Sequence, residues 1–99
     1  MSHYELFTPS TVPGDAIVVH IRSTHGVVQG FVDRRLAVVE GFVSLDTHDG
    51  PMAVQEALEK ANAEIVVLRP HGFSRIAVVL DAGTDWSAKW GHIDRSHLG

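Results

Sequence analysis

Short apolar runs separated by turn residues dominate the first half of the chain. Residues 16–22, AIVVHIR, and 27–33, VVQGFVD, are rich in β-branched side chains and are joined by a short polar segment. Such runs predict two strands, and the short connection, in which Gly26 can take a positive φ, predicts a hairpin. A turn at 33–35 leads into a third apolar run, 36–45. The pattern therefore predicts a three-stranded meander.

The hydrophobic period then changes. Apolar positions recur at three- and four-residue intervals, which predicts an amphipathic helix over about 51–62. These positions are Val54, Ala57, Leu58, Ala61 and Ile65. Asp49 is suited to cap the N-terminus of this helix, and Pro51 is suited to its first turn. Two further apolar runs, 64–69 and 75–81, predict strands joined by PHGFS.

The predicted order β-β-β-α-β-β belongs to the α+β class. A right-handed crossover through the helix favours a mostly antiparallel five-stranded sheet in the order 3-2-1-5-4, with the helix on one face. The whole chain, 1–99, forms one domain, with an N-terminal arm at 1–15. A tail at 82–99 carries Trp86 and Trp90.

The predicted strands are apolar on both faces, because runs such as Ile-Val-Val do not alternate with polar residues. A twelve-residue helix is about 18 Å long and covers only one face. We expect the tail or a second copy of the chain to cover the other face, and we favour a homo-oligomer, since a large open apolar patch is a liability. Trp86 and Trp90 either pin the tail onto its own domain or anchor an interface.

Composition narrows the class of protein. With 99 residues, 44% of them hydrophobic and 20% charged, the sequence is typical of one globular domain. It contains no cysteine, which excludes a disulfide framework, a thiolate zinc site and a cysteine nucleophile. No signal-peptide pattern and no apolar run of about eighteen residues is present, so we expect a cytoplasmic protein without a membrane span.

The charge pattern bears on the choice of partner. The net charge is −4 with histidine neutral, and the eight lysines and arginines are scattered along the sequence. A nucleic-acid surface usually carries a basic stripe that displaces counterions, so we do not expect nucleic acid as the partner. The partners that the sequence favours are a second copy of the chain, a small anionic ligand or another protein.

Three histidines fall in predicted turns at one end of the predicted sheet, beside the N-terminus of the helix. They suit a zinc site, in which imidazole nitrogens lie about 2.1 Å from the ion and water takes an open position. They also suit an anion site, in which helix N–H groups and nearby cations bind a phosphate or carboxylate. The candidate metal ligands are His25, His48 and His71. The candidate anion-binding residues are these three together with Arg69, Arg75 and Asp49.

Ordinary turn chemistry is the alternative for these histidines, because histidine beside glycine is common in exposed bends and the spacing matches no known metal motif. Two other titratable residues lie inside predicted strands. His20 shares a face with Val18 and Arg22, and Glu40 lies in the third strand. Both are candidate catalytic residues as an acid-base couple, or they mark the margin of the core.

Three hypotheses for the function stay open. The first is a small oligomeric binding module for a polar or anionic small ligand or a protein partner, with no chemistry of its own. The second is a small hydrolase or lyase that uses histidine or a metal ion such as zinc. The third is a structural protein of a phage or another assembly, in which the sheet faces and the tail form interfaces.

Overall fold

A computed structural model describes residues 3–34 and 47–96, and in these ranges the chain forms a six-stranded mixed sheet with one α-helix. The strands are β1 (Tyr4–Leu6), β2 (Ala16–Thr24), β3 (Val27–Arg34), β4 (Thr47–Met52), β5 (Arg75–Leu80) and β6 (Ile93–Asp94), and the helix is α1 (Val54–Leu68). Short 3-10 segments lie at Arg69–His71 and Ala88–Trp90. The predicted α+β class is confirmed, while the predicted strand at 36–45 lies outside the described residues.

The strand order is β4-β3-β2-β5-β1-β6. β3 is antiparallel to both β2 and β4, whereas β5 is parallel to both β2 and β1, and β6 is parallel to β1. The predicted hairpin is confirmed, with a φ of 78° at Gly26 in its turn, and so is the predicted place of β5 beside β2. The sheet is mixed, however, and not mostly antiparallel.

The misassigned segment 64–69 explains this difference. These residues do not form a strand, because α1 continues to Leu68 before the 3-10 segment begins. Ile65 extends the apolar spacing of the helix and is buried, while Val66 and Val67 lie exposed on its outer side. The chain therefore returns from α1 directly to the start of β5, and β5 runs parallel to β2 where an antiparallel pair was predicted.

The core side of α1 agrees with the sequence pattern. All five predicted apolar positions are buried: Val54, Ala57, Leu58, Ala61 and Ile65. The N-terminus differs from the prediction, because the N-cap is Ala53 and Pro51 belongs to β4. Asp49 also lies in β4, where its carboxylate is 3.0 Å from Lys60 Nζ, so it does not cap the helix. Gly30 of β3 allows α1 to approach closely, since a Cβ there would lie 2.7 Å from Ala57 Cβ.

The sheet has a helix face, packed against α1, and a second face on the opposite side. Ile17, Val19 and Ile21 of β2 point to the helix face and join the main core. The connection between β1 and β2, residues 7–15, crosses β5 on the second face, because both strands run parallel to β5 on either side of it.

Residues of this connection cover part of the second face. The sequence pattern favoured the tail or another subunit for this role. Phe7 and Val12 pack there against Ala16, Val18 and Ala77. They bury part of the surface that the sequence pattern predicts to be apolar on this face. The chain thus supplies a second, smaller core of its own.

The tail lies on the helix face instead. Trp86 and Trp90 pack against the main core with ring centroids 5.3 Å apart, and Trp86 lies 5.6 Å from the ring of Tyr4. Asn62 of α1 donates a hydrogen bond of 2.7 Å to the Tyr4 hydroxyl, which ties the same cluster to the helix. These contacts agree with tryptophans that pin the tail onto its own domain. No helix in the described ranges has the length and apolar character needed to cross a bilayer.

Candidate functional site

The structure separates the three histidines that the sequence placed together. β2, β4 and β5 run toward one end of the sheet, the upper end, and α1 runs back to the lower end. His25 lies in the upper turn of the hairpin, whereas His71 follows α1 at the lower end. His48 pairs with Asp33, level with Val18 and roughly 23 Å below His25 along the strand direction. The prediction that the three histidines share one end of the sheet is wrong, because β4 begins before His48 and α1 crosses the whole sheet.

The other predicted ligand residues are also dispersed. Arg69 and Arg75 lie at the lower end, and the Arg75 guanidinium is 3.6 Å from the Glu5 carboxylate and 3.5 Å from that of Asp15. Within residues 3–34 and 47–96, no group of three histidine or acidic side chains is placed to hold a metal ion. Glu40 lies outside the described residues. A ligand-binding role for the dispersed residues stays a prediction.

His20 lies on the second face of the sheet, beside polar side chains. Its position on β2 beside Val18 and Arg22 agrees with the alternation predicted for this strand, and it pairs with Val79 of β5. The backbone N–H of Asp81 donates a 3.0 Å hydrogen bond to the Ile21 carbonyl, which extends the pairing of β2 and β5. The Asp81 side chain therefore meets His20 and Arg22 at the upper end of the second face.

Asp81 joins these two residues through both of its oxygens. His20 Nε2 donates a hydrogen bond to Oδ1, and Arg22 Nε donates one of 3.0 Å to Oδ2. The side chains are partly accessible, with 25% of His20, 33% of Asp81 and 51% of Arg22 exposed. We call His20, Arg22 and Asp81 the His-Asp-Arg cluster.

Phe31 of β3 supports the arginine of the cluster. It pairs with His20 across the hairpin and is buried, and the Arg22 Cζ atom lies 5.2 Å from the centroid of its ring. A guanidinium over an aromatic ring gains cation–π attraction of about 0.5–1 kcal/mol at an exposed site. Asp81 and Phe31 thus hold Arg22 from two directions.

Hydrogen bonding sets the protonation states in the cluster. The hydrogen bond from His20 lowers the pKa of Asp81; partial burial opposes this, and the hydrogen bond and charge of Arg22 lower the pKa further. A carboxylate only accepts hydrogen bonds, so His20 Nε2 carries a proton. In the neutral ring Nδ1 is therefore an acceptor, and it becomes a donor only when the ring takes up a second proton.

The net charge of the cluster depends on the protonation state of His20. The charges of Asp81 and Arg22 cancel, so the three side chains together are neutral with a neutral imidazole and carry +1 with an imidazolium. Asp33 lies on the same face of β3, one pleat below Phe31. An anion near Arg22 is therefore favoured most when His20 is protonated.

No pattern in the sequence singles out Asp81. It is a polar residue at the end of the apolar run 75–81, and such residues are common where a strand ends. An antiparallel pairing of this strand with β2 would have placed Asp81 at the lower end, away from His20. Only the parallel pairing brings the two side chains together, and that depends on the full length of α1.

Comparison of the chain with models of protein families, with curated proteins and with solved structures finds no match. The fold and the cluster define a class, a small α+β protein with a mixed sheet and a His-Asp-Arg cluster on the face opposite its helix. The function is therefore inferred from the chemistry of the cluster.

Proposed function

We propose that this protein is a small binding module that holds a small anionic ligand, such as a carboxylate or phosphate compound, at the His-Asp-Arg cluster. The observation that carries the proposal is the double hydrogen bonding of Asp81 to His20 and Arg22 on a partly exposed face. It sets a guanidinium and a protonatable imidazole side by side before any ligand arrives. Such preorganisation reduces the entropy cost of binding.

Arg22 supplies the main recognition group. Asp81 occupies its Nε–H, and the guanidinium carries two further NH2 groups that donate hydrogen bonds. Guanidinium geometry matches the paired oxygens of carboxylate and phosphate groups. A protonated His20 adds a second donor through Nδ1.

The proposal includes the homo-oligomeric state and the cytoplasmic location expected from the sequence. Exposed valines on the hairpin and on α1 supply apolar surface for contact between copies. They are Val27, Val28, Val66 and Val67.

An acid-base enzyme, of the hydrolase or lyase kind, is the second candidate. The observation that favours it is the hydrogen bond between His20 and Asp81, since a carboxylate on one ring nitrogen orients the imidazole and fixes its tautomer. Nδ1 is then the atom that would take a proton from a substrate. The binding module remains the simpler proposal because it requires only the groups already in contact.

Isothermal titration calorimetry with inorganic phosphate and with acetate at about pH 6 tests the proposal. We expect Arg22→Gln to weaken binding about tenfold or more, because a charge-assisted hydrogen bond contributes roughly 1.5–3 kcal/mol. Arg95→Gln is the matched control, since it removes an exposed arginine far along the chain from the cluster. Equal binding by the wild type and Arg22→Gln would refute the proposal, and a loss in Arg69→Gln instead would favour the lower end of the sheet.

The second candidate has a separate readout. Hydrolysis of a chromogenic ester or phosphoester by the wild type, abolished in His20→Gln, would favour the enzyme. Because Gln keeps an N–H donor for Asp81 but cannot act as a base near neutral pH, this variant separates proton transfer from the structural hydrogen bond.

A further inference from the structure

The flat faces of the Arg22 guanidinium have different surroundings. One face lies over the ring of Phe31, and the Nε edge is bound to Asp81. About half of the side chain is nevertheless exposed. The side of the guanidinium away from Phe31 is therefore the accessible one.

We infer that the ligand of this site is an aromatic anion, whose planar ring stacks on the outer face of the Arg22 guanidinium while its anionic group reaches toward His20. The inference rests on the proposed function and specifies its ligand class. Arginine suits this role because its guanidinium is planar and weakly hydrated, so an aromatic ring covers it at small cost. The ligand ring would complete a stack that Phe31 begins.

The two basic side chains lie close enough together to share such a ligand. His20 and Arg22 are two residues apart on the same face of β2, and they bind the two oxygens of one carboxylate, that of Asp81. A ring stacked on Arg22 therefore carries its anionic substituent close to a protonated imidazole, whereas an acetate ion has no ring to stack.

Two sources of ligand share this chemistry, an aromatic carboxylate and a nucleotide with its base and phosphate. Both present a planar π system and a negative charge. They differ in the distance between ring and anion and in the charge of the anionic group. Benzoate and adenosine monophosphate serve as probes for the two sources.

The experiment is a calorimetric comparison of benzoate, cyclohexanecarboxylate, acetate and adenosine monophosphate at about pH 6. Cyclohexanecarboxylate matches benzoate in size and charge but has no π face. We expect the wild type to bind benzoate about three- to fivefold more tightly than cyclohexanecarboxylate. Arg22→Lys should reduce that preference, because an ammonium keeps the positive charge but has no planar face to stack on the ring. Arg95→Lys, the matched control, should keep the preference.

A spectroscopic readout locates the ring. Benzoate should shift the Arg22 Nε–H resonance upfield through its ring current, and cyclohexanecarboxylate should not. A stronger preference for adenosine monophosphate than for benzoate, reduced in Arg22→Lys, would support the inference with a nucleotide as the source. The opposite ranking would support it with an aromatic carboxylate.

The outcomes separate this inference from the proposed function. If benzoate and cyclohexanecarboxylate bind equally while both require Arg22, stacking is refuted and anion binding stands. If none of the four anions and no phosphate binds, both are refuted. A benzoate preference that is undiminished in Arg22→Lys would also overturn the inference, since the aromatic contact would then lie elsewhere.

Discussion

The hydrogen bond between His20 and Asp81 determines how the cluster responds to protons. Because Nε2–H is committed to the carboxylate, the ring offers Nδ1 to a ligand. Among the described residues, the charged groups near the ring are Asp81 directly after β5, Arg22 on β2 and Asp33 on β3, all on the second face. Protonation of His20 therefore adds both a donor and a positive charge at the same place.

His20→Gln tests the role of the imidazole in anion binding. Glutamine keeps an N–H donor for Asp81 but has no second ring nitrogen to offer to a ligand, so we expect this variant to bind acetate more weakly than the wild type at about pH 6. Calorimetric titration of phosphate-free protein measures the difference. Equal affinity in the two proteins would show that His20 does not contact the anion.

Asp81→Asn tests the carboxylate through stability. The pKa of Asp81 is lowered in the folded protein, so its stabilising effect is present above the unfolded value of about 3.9 and is lost as the pH falls through the folded value. We expect the variant to lose at most about 1 kcal/mol of unfolding free energy at pH 7, since the group is partly exposed. Urea unfolding between about pH 7 and pH 3 measures the difference.

Asp85→Asn is the control for this series, since Asp85 is exposed. Its difference from the wild type should not change with pH in the same way. A deficit in Asp81→Asn that grows as the solution becomes more acidic would contradict the assigned direction.

At the scale of elements, α1 shows what hydrophobic spacing predicts and where residue preference misleads. The spacing of apolar residues identified every buried position of the helix. The β-branched run at 65–67 suggested a strand, but burial of Ile65 against the core outweighs the weak local preference of valine for strands. In this chain the spacing of apolar residues therefore predicts secondary structure better than the strand preference of β-branched residues does.

A pair of substitutions distinguishes the helix from the predicted strand. In a strand Ile65 and Val67 would share a face, whereas in α1 they are 7% and 68% exposed. Ile65→Ala should cost about 2–4 kcal/mol of unfolding free energy and Val67→Ala less than about 0.5 kcal/mol. Similar losses in chemical denaturation of the two variants would contradict the helix.

The contact between α1 and β3 has its own test. A methyl group at Gly30 would meet the Cβ of Ala57 and the backbone of Val54, at 2.7 and 3.3 Å, and neither neighbour has a flexible side-chain end to move at that point. Gly30→Ala should therefore destabilise the protein by about 1–3 kcal/mol. Gly14→Ala, with nothing within 4 Å of the new Cβ, is the control. Thermal unfolding that shows equal stability for both variants would refute the close approach.

For the whole molecule, the sequence predicted the class of fold and the hairpin but not the directions of all the strands. Alternation placed His20 and Arg22 on one face of β2, because that requires only the neighbouring residues. The contact of these two side chains with Asp81 depends on the direction of β5, and that direction is set by how far α1 extends. His71 was misplaced for the same reason, since an added strand after the helix reverses the end at which it lies. His48 was misplaced because it belongs to β4 and not to a turn.

Mapping of amide and side-chain NMR shifts during titration with inorganic phosphate at about pH 6 tests the central claim most directly. We predict the largest shifts at His20, Arg22 and Asp81, at the upper end of the second face. Shifts centred on Arg69 and Arg75 at the lower end, or no saturable shift anywhere, would contradict an anion site at the His-Asp-Arg cluster.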